Sequence, residues 1–374
     1  MPESLTKRLL LVDGHYYLYR SFFAIRGLSN SRGEPTNAIY GFVKALRRML
    51  ADLKPDYAAV IWDAGLPERR TLLQPEYKQH RDAMPDDLEV QQEPLQNIVP
   101  LLGVASLFLE NTEADDLIAS YVMEASRSGV ECVVATNDKD ILQMVREGVS
   151  IYSTAKADLG EGNGGFKLLG VPEVRAKWGV EPEQIADVLA LTGDAADNIP
   201  GVPGVGSKTA AKWINLYGSL DHLLSGEVTD PKVLGKLSPA LELVKANRQM
   251  VALDLDLPLP VPIPLMTVMP RYPELVAALR ECEFRALTAE VEREALRKME
   301  DRSLELGMKE GERAEVEGGE SKDGGQRKAI ESRRTKVEEP EMESKDEVAG
   351  RPSTFDVRPS TSPVPPPPQQ GELF

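Results

Sequence analysis

Acidic residues stand at the ends of apolar runs, over and over, in the first two hundred positions of this 374-residue chain. The runs read LLLVDG, VIWDA and VVATNDKD, with EADD opening a helical pattern and TGDAADNIPG closing another. They supply Asp13, Asp63, Glu113, Asp115, Asp116, Asp138, Asp140, Asp194 and Asp197. A carboxylate at the C-terminal end of a buried strand points into the crevice where open α/β sheets hold ligands. Several in one place repel each other and need cations. Hard oxygen donors at partly hydrated sites suit Mg²⁺ or Mn²⁺, and two such ions suggest in-line phosphoryl or phosphodiester chemistry. Any one of these acids could simply end a strand or cap a helix; nine in this arrangement favour the metal reading.

Spacing refines the set. Glu113 and Asp116 are three apart on a helix, share a face and can approach one ion, with Asp116 as a catalytic residue. Asp115 points elsewhere, either through water or toward a second ion. Asp138 and Asp140, two apart just past a strand, project to one side in extended geometry. Asp194 and Asp197 lie in a turn-rich loop and could complete a second cation's shell.

A second element is GVPGVGSKTA, Gly201–Ala210. Two helices joined by a glycine hairpin expose backbone N–H groups at a helix N-terminus, a site for a DNA phosphate. Gly204 and Gly206 allow close approach, Ser207 and Thr209 flank the helix start, and Lys208 and Lys212 add charge. A nucleotide P-loop needs Gly directly before Lys-Ser/Thr; here Ser207 precedes Lys208-Thr209, and a helix rather than a strand leads in.

The elements that must carry these groups are legible as alternating patterns. Residues 8–13, 57–63, 131–136 and 148–153 read as buried strands. Ala38–Leu53 and Asn111–Ser128 read as amphipathic helices, so a mostly parallel sheet with helices on both faces is expected. Residues 64–87 break the rhythm with a polar, proline-containing insertion that holds Arg69, Arg70, Lys78, His80 and Arg81. Its length and position after Asp63 mark it as functional. From 172 to 298 the pattern is mostly helical, with a proline-rich connector and a last helix from Glu274 through Met299. Beyond about 301 the segment is polar and poor in aromatics, so disorder is expected.

The net charge of −16 argues at first against a nucleic-acid partner. Residues 301–374 hold 17 acidic and 12 basic side chains, however, leaving −11 for the rest. Nine of those charges belong to the proposed cluster, which bound cations would offset. There is no run of about 18 apolar residues, so no membrane span is indicated. Cys132 and Cys282 are too few for a disulfide framework, and no signal peptide is read, so a reduced, cytoplasmic protein is expected.

Taken together, LLLVDGHYYLYRSFFA, SRGEPTNAIYGF, WDAGLPERR, YKQHR, EADDLIAS, TNDKDILQ, ALTGDAADNIPGVPGVGSKTA and EFRAL resemble the 5′-nuclease domain at the N-terminus of bacterial DNA polymerase I, of the flap endonuclease family. The match covers roughly residues 8–290 in the family's order. It implies an α/β, PIN-like core over 1–171 with a helical arch at about 64–87. It also implies a helical DNA-binding region over 172–298 with a helix-hairpin-helix, or helix-three-turn-helix, at 199–217. Two Mg²⁺ or Mn²⁺ ions would sit among the nine acids, and a K⁺ on the hairpin carbonyls of Gly201–Gly206. Arg70, Tyr77, Lys78 and Arg81 would belong to the arch, with Lys78 and Arg81 approaching the scissile phosphate. Residues 299–374 form the disordered tail, and nothing after residue 300 reads as a polymerase domain. The last five residues resemble the Q-x-x-L-F peptide that bacterial replication proteins place on the sliding clamp, with Gln370, Leu373 and Phe374 as anchors.

The expected protein is thus a monomeric, bacterial, nucleoid-associated 5′-3′ exonuclease and flap endonuclease acting in primer removal and DNA repair. A non-catalytic flap-binding protein on a nuclease fold is the alternative, and an RNase of the wider PIN class a third reading.

Overall fold

The structure, a computed structural model, describes residues 6–155 and 165–317, with side chains through residue 301. Among the described residues, six strands form one sheet in the order β3-β2-β1-β4-β5-β6. They are β1 (Arg8–Asp13), β2 (Tyr57–Ile61), β3 (Ala105–Leu107), β4 (Glu131–Ala135), β5 (Val149–Ser153) and β6 (Lys167–Leu169). All pairings are parallel except β5 with β6. The expected α/β class with a mostly parallel sheet is what the chain forms. β3 and β6 have three residues each and were outside the expected set.

Alternate residues of β1 feed two cores. Leu9 and Leu11 pack with the helix α5 (Ala114–Arg127), while Leu10 and Val12 pack with α1 (Gly14–Ala24) and α2 (Asn37–Leu53). This two-residue alternation is why β1, apolar throughout, can be covered on both faces. Gly14 follows β1 directly because a side chain there would collide with Trp62, its added Cβ meeting ring carbons at 2.4 Å.

The strand order reverses between β1 and β4. Chain connections run outward from β1 through β2 to β3, and from β4 through β5 to β6. Such a switch point opens a crevice outside the carboxyl ends of the two central strands. Asp13 ends β1, and Asp138 follows β4 by three residues, so both stand at that crevice.

The segment after β2 contains one short helix, α3 (Glu68–Leu73), followed by turns over residues 75–80. It is folded down onto the protein rather than built as a long helical span. Downstream are α4 (Asp86–Ile98), α6 (Val171–Trp178), α7 (Ile185–Thr192) and α8 (Ser207–Tyr217). Two shorter helices, α9 (Leu220–Leu224) and α10 (Pro231–Leu237), lead to α11 (Leu241–Val251).

The single last helix expected from the sequence is two helices, α12 (Tyr272–Glu281) and α13 (Arg285–Glu317). Between them Glu283 adopts φ +60, and Phe284 N–H donates to Leu279 O at 3.0 Å. Burial of Phe284 in the α1–α2 core stabilises this break. The backbone stays helical to Glu317, past the composition change near 301, through a run rich in Glu, Lys, Arg and Leu. Contacts divide the chain after Gly311. The tail beyond Glu317, with Gln370, Leu373 and Phe374, lies outside the described residues. Among the described residues no helix is long and apolar enough to cross a membrane.

Candidate functional site

The nine acids sort into three groups. The first, Asp13, Asp63, Asp115 and Asp138, comes from four segments of the carboxyl edge. Asp13 caps α1, its Oδ1 accepting from Tyr16 N–H at 3.0 Å, while Oδ2 accepts from the Thr136 hydroxyl at 2.8 Å. Asp63 Oδ1 accepts from Ala114 N–H at 2.9 Å, joining the end of β2 to the start of α5. Burial and then the repulsion of Asp63 push the Asp13 carboxyl up to about 7. Burial also raises Asp115 well above the usual carboxylate range, aided by Asp138, Asp13 and Asp63. Asp63 goes the other way. Desolvation pushes it up, but His15 Nδ1, 3.1 Å from its Oδ2, and the Ala114 amide hold it down at about 2.

The second group is Asp140, Asp194 and Asp197, whose nearest oxygens all lie within 4.8 Å of one another. Asp140 Oδ1 is buried with no hydrogen-bond partner. Burial raises its carboxyl well above the ordinary value, and Asp138, Asp194 and Asp197 raise it further. Asp194 accepts from Ala196 N–H at 2.9 Å and faces Lys139 Nζ at 2.8 Å. Asp197 holds Arg81 Nη2 at 2.5 Å and the Tyr77 hydroxyl at 3.1 Å, with Lys78 Nζ at 3.6 Å. Asp138 is raised by desolvation and by Asp197 and Asp194, so the two groups adjoin. Asp138 and Asp140 are not in extended geometry: Asp140 N–H donates to Asp138 Oδ1 at 2.8 Å and opens a 3-10 turn. A turn serves the same end, because it brings both carboxylates into one electrostatic neighbourhood.

Glu113 and Asp116 form the third group. They do share a face, but what they share is the Arg70 guanidinium. Arg70 is paired with Glu113 Oε2 and lies 2.6 Å from Asp116 Oδ2. Glu113 Oε1 is paired with Lys78 Nζ, and the Tyr77 hydroxyl lies 3.2 Å from both Glu113 oxygens. Asp116 is fully buried and also accepts from Asp254 N–H at 2.9 Å. Both of its oxygens are therefore engaged by protein donors. Arg70, 3% exposed, is likewise no surface for DNA. Tyr77 is buried, whereas Arg81 is half-exposed. The basic segment lies against the acids because a buried carboxylate is stable only when paired.

Side chains unmarked by the sequence complete the site. His15 sits against Asp63, Thr136 holds Asp13, and Lys139 holds Asp194. All three flank a named acid by one or two positions or end the strand before it, which is the signal that could have found them.

The glycine hairpin lies between α7 and α8. Asp194 and Ile199 exchange both backbone hydrogen bonds, at 2.8 and 2.7 Å, so the loop that holds Asp194 and Asp197 is also the base of the hairpin. Gly204 has φ +72, and its carbonyl accepts from Lys236 Nζ at 2.6 Å. Gly206 is exposed at the N-terminal end of α8, with Ser207, Lys208 and Lys212 exposed after it and Thr209 half-buried. The leading element is a helix, which removes the P-loop reading.

A family model described as the 5′-3′ exonuclease N-terminal resolvase-like domain matches residues 8–179. The model of the 5′-3′ exonuclease C-terminal SAM fold matches residues 180–274. A 5′-3′ exonuclease of Aquifex aeolicus is 39% identical over 218 residues, covering 58% of this chain and 72% of that protein. DNA polymerase I of Chloroflexus aurantiacus is 41% identical over 227 residues, 60% of this chain and 24% of the polymerase. The chain thus spans about a quarter of that relative's length. Among solved structures, a T5 5′-exonuclease with bound divalent metal ions (zinc) has a TM-score of 0.55 at 18% identity, covering 77% of this chain and 99% of the other. The catalytic core of Rad2 in complex with DNA substrate gives 0.51 at 16%, covering 77% and 92%. These likenesses concern the fold.

Proposed function

The chain belongs to the 5′-3′ exonuclease family, and on that footing we propose that it hydrolyses DNA phosphodiesters at a free 5′ end or at the foot of a 5′ flap. The observation that carries the reading is the crowding of carboxylates at the sheet's carboxyl edge, where one buried oxygen has no partner. Asp140, Asp194 and Asp197 offer oxygens within 4.8 Å of one another, and Asp140 Oδ1 is buried without a partner. An all-carboxylate donor set of this kind fits Mg²⁺ or Mn²⁺.

Asp13, Asp63, Asp115 and Asp138 would hold one cation, and Asp140, Asp194 and Asp197 the other. When bound, such ions lower the pKa of an attacking water and stabilise the leaving 3′-oxygen. The protein's own share is placement and charge. Lys78 and Arg81, now set against Glu113 and Asp197, would stabilise charge on the phosphoryl oxygens. Exposed Gly206, Ser207, Lys208 and Lys212 would grip a duplex arm through its backbone, without reading bases. The carbonyls of Gly201–Gly206 would hold a K⁺ there. Primer removal and repair are the processes that need this cut.

A labelled 5′-flap duplex tests the reading. Mg²⁺-dependent cutting at the junction, abolished by EDTA, is expected. Binding without cutting would make the protein a flap-recognition factor, and preference for single-stranded RNA would make it an RNase.

The C-terminal peptide adds a partner to the reading. Deleting Gln370–Phe374 should leave cleavage of naked DNA unchanged and abolish retention on immobilised sliding clamp; equal retention would remove the clamp from the proposal. Engagement of the clamp through this peptide would raise the enzyme's local concentration on clamp-loaded DNA.

A further inference from the structure

Arg70 lies in the basic segment that follows β2, yet it is directed inward. A guanidinium has five N–H donors, and five acceptor contacts surround this one. Nε donates to Met250 O at 3.0 Å. Nη1 donates to Glu113 Oε2 and to Asp116 Oδ2, the latter at 2.6 Å. Nη2 donates to Asp116 Oδ1 at 2.8 Å and to Ala252 O at 3.0 Å. Donors and acceptors match in number, and nothing is left over for a DNA phosphate.

The arrangement fixes more than Arg70. Asp116 is held by both oxygens on one side and by Asp254 N–H on the other, so its orientation is set. Successive residues leave an α-helix about 100° apart. Locking Asp116 toward Arg70 therefore turns Asp115, its neighbour on the first turn of α5, toward Asp13, Asp63 and Asp138, whose charges it feels. Glu113, at the head of the same helix, is fixed through Oε2 while Oε1 meets Lys78. The two carbonyls at and just past the end of α11 complete the socket, so the first turn of α5 is docked between the basic segment and α11.

We infer that Arg70 is a positioning residue for cleavage: it sets the first turn of α5, and with it Asp115 and Glu113, against the acidic cluster without touching DNA. Lysine cannot reproduce a five-contact planar fork, so the role is specific to arginine. The inference rests on the hydrolytic reading of the site.

The test compares wild type, Arg70→Lys and the double variant Arg70→Met/Asp116→Met, each as the full chain, on the 5′-flap duplex. Steady-state kinetics, Mg²⁺ titration, and DNA binding in EDTA as a function of salt are measured together. For Arg70→Lys, kcat should fall roughly 10–100-fold, in the range seen when a residue that orients a ligand is lost. The Mg²⁺ concentration for half-maximal rate should rise several-fold, while Kd and its salt dependence stay at wild-type values. A lost phosphate contact would instead weaken binding and flatten the slope of log K against log salt by about 0.9, which overturns the inference. Unchanged kcat and Mg²⁺ dependence overturn it too. If Arg70→Lys does not fold, the double variant decides, since removing both charges leaves none buried and unpaired. It should fold and show the same kinetic and Mg²⁺ defect; normal kinetics, or failure of both variants to fold, would make Arg70 a residue of the fold alone. Wild type inactive on every substrate is a different outcome, which removes the hydrolytic reading itself.

Discussion

Asp115 and Asp116 are adjacent in sequence and face opposite surroundings. On one side of α5, Asp116 and Glu113 are saturated by Arg70, Tyr77, Lys78 and the Asp254 amide. On the other, Asp115 joins Asp13 and Asp138 in a group whose carboxyls are all raised by desolvation and by the charges of neighbouring acids, Asp197 and Asp194 among them for Asp138. The difference separates acids neutralised by basic partners from the acids proposed to hold a cation. Both kinds are buried or crowded; only the partners tell them apart.

The sharpest way to break this division is to neutralise an acid from the repelling set. Asp140→Asn should reduce flap cleavage in Mg²⁺ by about 10³-fold or more in single-turnover assays, the scale on which removing a charge-stabilising group acts. The same substitution should raise the melting temperature of the metal-free protein, because it relieves repulsion around an unpartnered oxygen. Stability gained as activity is lost is the signature of a functional site under strain. A fall in both would place Asp140 with the structural acids.

Asp116→Ala should do the opposite to stability. It leaves the Arg70 charge buried with two of its five contacts gone, at a cost of about 3–5 kcal/mol, measurable by urea unfolding in EDTA. A loss under 1 kcal/mol would show that Asp116 is not part of the fold's scaffold, and would return it to the metal-binding set that spacing alone suggested.

The pH dependence of stability sharpens the same contrast. Asp13, Asp115, Asp138 and Asp140 all have folded-state carboxyls raised above the unfolded value. A raised acid binds its proton more tightly in the folded state. Its stabilising effect is therefore complete below the unfolded pKa, near 4, and is lost as pH rises through the folded value, about 7 for Asp13. In EDTA the protein should melt a few degrees higher at pH 5.5 than at pH 8, the size of shift that about 1–2 kcal/mol gives a domain this large. Millimolar Mg²⁺ at pH 8 should erase the difference. A melting temperature that climbs from pH 5.5 to 8 in EDTA would mean the paired carboxylates dominate instead.

This division was only half legible in the sequence. Apolar runs ending in Asp mark strand ends, and a parallel sheet gathers strand ends at one edge, so the convergence of Asp13, Asp63 and Asp138 follows from pattern alone. Helical spacing also gave the right faces for Glu113, Asp115 and Asp116. It could not give their partners, because Arg70 lies 43 and 46 positions away from Glu113 and Asp116, and spacing says nothing about contacts made through folding. For the same reason Arg70 and Tyr77 read as surface groups of a basic loop, although both are buried. β3 and β6 are too short to show alternation. The break at Glu283 lacks the glycine or proline that announces a helix end, and long-range contacts, the burial of Phe284 and the Ser31 hydroxyl on the Glu283 carboxylate, accompany it instead.

The smallest expected effect lies in the hairpin, whose proposed contact with DNA is made at the surface rather than inside. Lys208 and Lys212 are exposed on the first turns of α8, so replacing either changes no buried partner. Lys208→Ala should weaken flap binding only about two- to five-fold near physiological salt, and should lower the salt slope by about one unit. At saturating DNA the cleavage rate should stay at the wild-type value, since the substitution leaves the acids untouched. That profile inverts the one expected for Arg70→Lys, in which turnover falls and binding holds. If Lys208→Ala instead left Kd and slope unchanged, the hairpin would not be the grip on the duplex, and the basic residues near the acids would have to supply affinity as well as chemistry.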